Sequence, residues 1–409
     1  MSAHQNGGVR LVAMLAALAL TAPARAQSLL ERQTLTGDWN GVRPALSAHG
    51  VDVYLTYTGS MWANVAGGRA TGVRWNGFLD FGVESDLAQM GAWDGLGFHA
   101  DFHWWQGERP TKQLIGGIRA QTLSEWEAAA TLRVYNLYLR QAFADDRVVV
   151  KLGQIAADTD FMVSRYGGLF LNGGIGDLVS QNLNLDGPVY PLAAPGLSVQ
   201  LRPRPWLTAR LGAYTGDAGR DVAGNHGFGW TVGKDAGGAF FSEIAVDQQR
   251  RLPGTYTLGG IYATDSSAQA GLGPLRGSHS DLYLMVDQAL VAGARGQPVL
   301  AAFARIAGSP QTARNVVKIN ADAGVVLFGP LRSRPGDALG VAVSLFRFAD
   351  DFRQRSRATV GGGQTVVELN YQLAIAPWLV IQPDAQFFFD PAISGRNAQA
   401  LGIQVTVIL

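Results

Sequence analysis

The chain has 409 residues, of which 47% are hydrophobic and only 16% are Asp, Glu, Lys or Arg, with 52 glycines and no cysteine. It is too apolar to be disordered, and 33 basic against 32 acidic residues leave no positive field to capture a phosphate backbone, so nucleic acid is not an expected partner. The absence of cysteine excludes disulfides, thiolate metal sites and cysteine nucleophiles.

Residues 1–26 read as a cleavable export signal. Arg10 supplies the positive start, Leu11 to Thr21 form an apolar run too short to span a bilayer, and Ala24-Arg25-Ala26 is a small-x-small cleavage site, with cleavage expected after Ala26. The remainder contains no apolar run near the roughly 18 residues that a spanning helix needs. Residues 27–50 form a short N-terminal, periplasmic segment, in which Trp39, Val42 and Leu46 share one helical face within 35–49.

From residue 51 onward apolar and polar residues alternate in segments of about ten residues, the period-2 signature of strands with two unlike faces. In 281–288, Leu282, Leu284 and Val286 lie opposite Asp281, Tyr283 and Asp287. In 401–409, Leu401, Ile403, Val405, Val407 and Leu409 lie opposite Gln404 and Thr406. Sixteen such segments fall at 51–61, 74–86, 95–106, 133–143, 147–155, 196–202, 206–214, 239–247, 254–263, 280–290, 298–307, 317–328, 339–349, 364–373, 376–389 and 398–409. The connections after the first, third, fifth and seventh segments are long, whereas 144–146, 203–205 and 374–375 are tight. An even strand number with alternating loop lengths predicts an all-β, sixteen-stranded antiparallel up-and-down transmembrane barrel over 51–409, with short periplasmic turns and longer outer loops. An exported sandwich or propeller is the alternative, but no fixed internal repeat is present.

Trp104 and Trp105 end a strand, Trp206 and Trp378 open strands after turns, and Phe387 and Phe389 close one, placements that suit interfacial aromatic girdles. The stretch His99-Ala100-Asp101-Phe102-His103 has the composition of a metal cluster, although a polar strip of wall accounts for it better; no metal or cofactor is expected. No G-x-S-x-G elbow, phosphate loop or dinucleotide fingerprint occurs. Ionisable groups are costly against lipid. Asp80, Glu84, His99, Asp101, Arg133, Arg140, Lys151, Arg210, Glu243, Asp247, Lys318, Asp322, Glu368, Gln372, Gln382, Asp384 and Gln386 are therefore expected to point into a water-filled lumen.

Two long connections, 107–132 and 156–195, are expected to fold inward and constrict the channel. The candidate constriction set is Trp104, Trp105, Arg109, Arg119, Arg140, Lys151, Asp158, Asp160, Arg165, Tyr166, Asn172, Arg210 and Glu243, combining charged and amide groups that hydrogen-bond hydroxyls with aromatic faces that cover apolar C–H surfaces.

In order along the chain, LTGDWNGVR at 35–43, GGLFLN at 167–172, LPGTYTLGG at 252–260, Asp287-Gln288, RPGDALG at 334–340 and ELNYQLAIAPWLVIQPDAQ at 368–386 resemble the carbohydrate-selective porin (OprB) family. The resemblance covers essentially the whole chain after the signal. It implies a non-enzymatic outer-membrane channel that admits small sugars such as glucose through a loop-narrowed eyelet, with outer-membrane lipid and the outer-membrane assembly machinery as further partners. A general, weakly selective porin and a barrel hydrolase are the alternatives, and association into homo-oligomers stays open. The chain ends in Leu409, whereas outer-membrane strands commonly end in phenylalanine, which bears on the strength of the assembly signal.

Overall fold

The computed structural model describes residues 28–117, 121–185, 187–249, 252–264, 278–293, 296–311, 313–355, 361–391 and 395–409; the expected export signal lies outside them. Sixteen strands alternate along the chain. The first eight are β1 Val51–Gly67, β2 Gly72–Asp86, β3 Leu96–Gly107, β4 Thr131–Phe143, β5 Val148–Ile155, β6 Ala194–Arg204, β7 Leu207–Thr215 and β8 Gly238–Gln248. The second eight are β9 Gly254–Thr264, β10 His279–Ala292, β11 Pro298–Gly308, β12 Val317–Phe328, β13 Ala338–Phe348, β14 Gly363–Ala376, β15 Leu379–Phe389 and β16 Ala398–Ile408. Every strand pairs antiparallel with its sequence neighbours, and β1 closes on β16 from Thr56 opposite Ile408 to Gly67 opposite Ala398, so no edge is left unpaired.

Closure follows from the two-faced strands. On β10, Leu282 and Leu284 are 64% and 54% exposed, while Asp281 and Tyr283, which alternate with them, are buried. The outer face continues through Leu152, Leu211, Ile244, Leu258 and Leu401, an apolar belt that only lipid can cover at low cost. Trp75, Trp206, Phe240, Tyr262, Phe387 and Phe389 are exposed with it. Trp378 differs from expectation: it is buried, and its indole N–H donates to the Leu29 carbonyl at 2.8 Å, because the N-terminal segment folds over the turn 377–378.

The largest departure from the expected strand bounds is β1, which runs to Gly67, so the first connection is the tight turn 68–71 and not a long loop. Alternation persists through Trp62 and Asn64, both inward and buried. The turn requires Gly67 at φ +67°, where a Cβ would lie 1.7 Å from the Asn397 carbonyl oxygen.

The N-terminal segment is bound to the rim where β1 begins and β16 ends. Its α-helix is Val42–Ser47, after Trp39, Asn40 and Gly41 at positive φ, and Pro44 is tolerated in its first turn. Leu35 N–H donates to Ile408 O at 2.8 Å, and the Arg43 guanidinium donates to Leu409 O at 2.8 Å.

Candidate functional site: a loop-filled constriction

Three long connections, 108–130, 156–193 and 216–237, gather at the end of the barrel opposite the termini. The segment 156–193 enters the lumen because it carries apolar side chains at short intervals that the inner wall receives. Phe161, Met162, Leu178, Leu185 and Val189 pack on Phe241, Ile261, Tyr283 and Met285. Val179 and Leu183, on the helix Val179–Asn184, pack on Val317, Phe346 and Phe348. Tyr166, Phe170 and Ile175 pack on Phe303, Val326 and Ala342. Leu171 joins Leu114, Ile115 and Leu123 of the 108–130 connection against Trp62, Val366 and Phe388. Much of the lumen beside β8–β16 is thus a packed interior and not open water.

A peptide strung through a barrel must also satisfy its own N–H and C=O groups. Wall side chains do this. Glu243 accepts from Met162 N–H at 2.9 Å. Asp287 accepts from the Ser164 hydroxyl at 2.8 Å, Arg165 N–H at 3.2 Å and Tyr166 N–H at 3.1 Å. Glu368 accepts from Leu171 N–H at 2.7 Å and Asn172 N–H at 2.9 Å. Gln382 donates to Leu169 O at 2.9 Å. Arg305, paired to Asp322 at 2.9 Å with both side chains fully buried, donates to the carbonyls of Ile175 and Gly176. Asn320 accepts from Ser180 N–H, and Asn184 reaches from the loop helix to Ser309 and Val317. Several positions expected to face water therefore hold the loop instead, namely Glu243, Glu368, Gln382 and Gln386, and Asp322, against Arg305, and Asp384 are buried on the same wall. Alternation correctly reports an inward direction but does not say what occupies the interior. Lys318 departs as well, sitting at a bulge at the loop end of β12 and paired with Asp350 at 3.0 Å.

The inward connections brace one another. Glu125 N–H donates to Leu171 O at 2.6 Å, and Gly173 N–H donates to Thr122 O at 3.1 Å. Asp221 of the third connection ties together Arg109, Arg133 at 2.8 Å and Ala129 N–H at 3.0 Å. Gly227, at φ +109°, lets this connection lie on β4, since a Cβ there would meet Val134 O at 2.1 Å. Trp105 donates from its indole to the Tyr190 hydroxyl at 2.6 Å, and Trp126 stacks on Phe78 with ring centroids 4.4 Å apart.

Among the half-buried residues of the inserted loops is an acidic and aromatic set: Glu125, Trp126, Asp158, Asp177 and Tyr190. Burial pushes the Glu125 carboxyl well above the carboxylate range, helped by the negative charges of Asp177 and Glu368. Burial likewise raises Asp158, followed by the charge of Asp177, and raises Asp177 against the opposing pull of Arg305. Neutral carboxyls can donate as well as accept hydrogen bonds, which suits a solute carrying both functions.

The sequence candidates divide accordingly. Lys151 and Asp160 form an ion pair at 2.5 Å beside Ser198. Asp158 accepts from Tyr190 N–H at 2.6 Å. Arg210 pairs with Glu243 at 2.5 Å, and Arg165 is exposed to the lumen with its guanidinium 5.6 Å from the Tyr166 ring. Trp105 and Arg109 lie in the loop-braced region described above. Four candidates sit elsewhere than a constriction requires. Trp104 is on the outer face, 46% exposed, because it alternates with inward Trp105. Arg140 lies near the opposite rim, paired with Asp146 of the 144–147 turn. Tyr166 and Asn172 are buried as loop-to-wall packing, with the Asn172 amide donating to Gln386 at 2.8 Å. Arg119 lies outside the described residues. Sequence reasoning missed Asp221, Arg305 and Tyr190: each acts through partners remote in sequence, and no local pattern marks it.

Comparison with known proteins agrees with this architecture. The carbohydrate-selective porin (OprB family) profile matches residues 70–409. Porin B of Pseudomonas aeruginosa is 27% identical over 96% of both chains, and the putative porin QuiX of Acinetobacter baylyi is 22% identical over 88% of this chain and 89% of its own. Pseudomonas putida OprB at high pH shares the fold with a TM-score of 0.82 at 22% identity, covering 94% of this chain and all of the other; its low-pH structure gives 0.62 at 18% identity, covering 93% and 99%. The chain therefore belongs to the OprB family of carbohydrate-selective porins of the bacterial outer membrane.

Proposed function

We propose that the barrel passes small neutral sugars of the glucose type by diffusion through a constriction made by the inserted loops. The observation that carries this reading is the anchoring of 161–172 to Glu243, Asp287 and Glu368. It holds the loop across the lumen, and we read the half-buried Glu125, Trp126, Asp158, Asp177 and Tyr190 as the lining of the passage it leaves. Carboxyl and hydroxyl groups there match sugar hydroxyls, and aromatic faces match the apolar face of a pyranose. The similarity to Porin B supports a porin role. The long connections are read as facing outward, with both termini and the short turns in the periplasm. Lipid covers the apolar belt, and the outer-membrane assembly machinery is the expected partner in insertion.

The described histidines lie in the lumen (His99, His103, His279), in a loop (His226) or on the N-terminal segment (His49), so among the described residues none stands on the lipid face where a lipid hydrolase would need it. Liposome swelling tests the sugar reading: glucose is expected to enter faster than dicarboxylates of similar size, and equal rates would reduce the protein to a general porin.

A further inference from the structure

On the outer face, toward the loop end of β7–β10, the apolar belt is interrupted by a groove of about 660 Å3. Small residues make its floor. Ser242 and Gly260 stand opposite each other on β8 and β9, between Leu211 of β7 and Leu282 of β10, which are 57% and 64% exposed. Phe240 and Tyr262, also exposed, stand on its loop side, where aromatic rings suit a membrane interface.

A basic rim adjoins the groove. The connection between β11 and β12 lies on the start of β10: Gln311 accepts from the Ser280 N–H at 2.9 Å and from its hydroxyl at 2.8 Å, and Arg314 donates to the Ser278 hydroxyl at 3.4 Å. Ser280 and Leu282 line the groove just below. The connection after β13 joins the same rim, with Arg355 donating to the Ala313 carbonyl at 2.7 Å and Lys318 pairing with Asp350 at 3.0 Å. Residues 309–318 and 347–355 together carry Arg314, Lys318, Arg347, Arg353 and Arg355 against Asp350 and Asp351, an excess of three positive charges. Neighbouring connections do not cancel it. Asp265 and Arg276 offset each other by count, as do Asp390 and Arg396; 216–237 holds Asp217, Asp221 and Asp235 against Arg220 and Lys234, with Asp221 already paired to Arg109 and Arg133. Arg347 stands exposed on the outer face between buried Phe346 and Phe348. An arginine facing lipid is costly at mid-bilayer and nearly free at the interface, so Arg347 marks the headgroup level.

We propose that this face binds one phosphorylated lipid of the leaflet at the loop end, with an acyl chain in the groove and a phosphate on Arg314 and the arginines beside it. The planar guanidinium takes two phosphate oxygens at once, and the groove continues a belt that already meets lipid tails. The site lies outside the lumen and is independent of the sugar-channel reading; the outward direction of the long connections decides only which leaflet supplies the lipid.

Native mass spectrometry of the folded full chain in detergent tests it, with diphosphoryl lipid A and phosphatidylcholine as probes and heat-modifiable gel migration checking that each variant is folded. One diphosphoryl lipid A should be retained per barrel, about tenfold or more tighter than phosphatidylcholine. Arg314→Gln, Arg347→Gln and Arg353→Gln together should abolish that preference. Gly260→Leu fills the groove with every charge in place and should weaken retention of both lipids. Arg220→Gln with Lys234→Gln, on the other flank, should change neither. Equal retention of the two lipids by the unaltered protein, a preference that survives the triple variant, or retention indifferent to Gly260→Leu would overturn the site. So would a second copy of the chain in the groove, read as a dimer mass that Gly260→Leu removes.

Discussion

Asp287 offers the sharpest perturbation of the inserted loop. Its carboxylate accepts from the Ser164 hydroxyl, Arg165 N–H and Tyr166 N–H at 2.8 to 3.2 Å, and it is itself buried. Hydrogen bonds to charged acceptors each contribute about 1.5–3 kcal/mol, and a buried donor left without a partner costs about 1–3 kcal/mol. Asp287→Ala removes one acceptor from three donors, so a non-additive loss of about 3–6 kcal/mol is expected, concentrated on the loop and not on the strand ladder. Asp287→Asn keeps one carbonyl acceptor and should lose about half as much. The barrel should remain closed, since its pairing does not depend on this side chain. Hydrogen exchange should show loss of protection across 161–172 in Asp287→Ala, with single-channel conductance rising and its noise increasing. Unchanged protection and conductance in Asp287→Ala would refute the view that wall carboxylates hold the constriction in place.

Further outcomes follow from the same geometry. Arg305→Met leaves Asp322 buried without its cation and two loop carbonyls without their donor, so a loss of about 3–5 kcal/mol is expected, seen as a lower unfolding temperature or loop proteolysis near 175; Arg305→Met with Asp322→Leu should recover part of it. Leu284→Arg, on the lipid face, should cost about 2–4 kcal/mol if near mid-bilayer, measured by folding into vesicles, with little change in the conductance of folded channels. Asp158 and Glu125 hold protons more tightly folded than unfolded, so stability linked to them declines as pH rises from the ordinary carboxylate range near 4 toward their raised folded values. As Asp158 ionises, around its raised value of about 8, the constriction should become more cation-preferring; Asp158→Asn should flatten that pH dependence, checked by reversal potentials. Trp105→Phe removes the donor to the Tyr190 hydroxyl and should alter sugar flux, whereas Trp104→Phe, on the outer face, should not.

The barrel was legible because strand alternation is local: Leu282 and Leu284 against Asp281 and Tyr283 report direction without reference to any other strand. The exception at β1 shows the limit. The expected first segment ends at 61, and the pairing of 62–64 with β2 and of 62–67 with β16 is what carries β1 on to Gly67. The contents of the lumen were far less legible. Glu368 and Asp322 were correctly placed inward, but whether an inward carboxylate meets water, an arginine or a loop amide depends on the path of 156–193, which no periodicity encodes. Tyr166 and Asn172 carry the chemistry of a sugar contact and serve as packing, while Tyr190 and Asp221 acquire their roles from Trp105, Arg109 and Arg133 across long sequence separations.

Single-channel recording with glucose added to one side tests the central claim most directly. A constriction that binds sugar hydroxyls predicts a steady ion current that glucose reduces reversibly and in proportion to occupancy, with Asp158→Asn weakening the block. A barrel that passes no steady current, or a current indifferent to glucose at any concentration, would contradict the account.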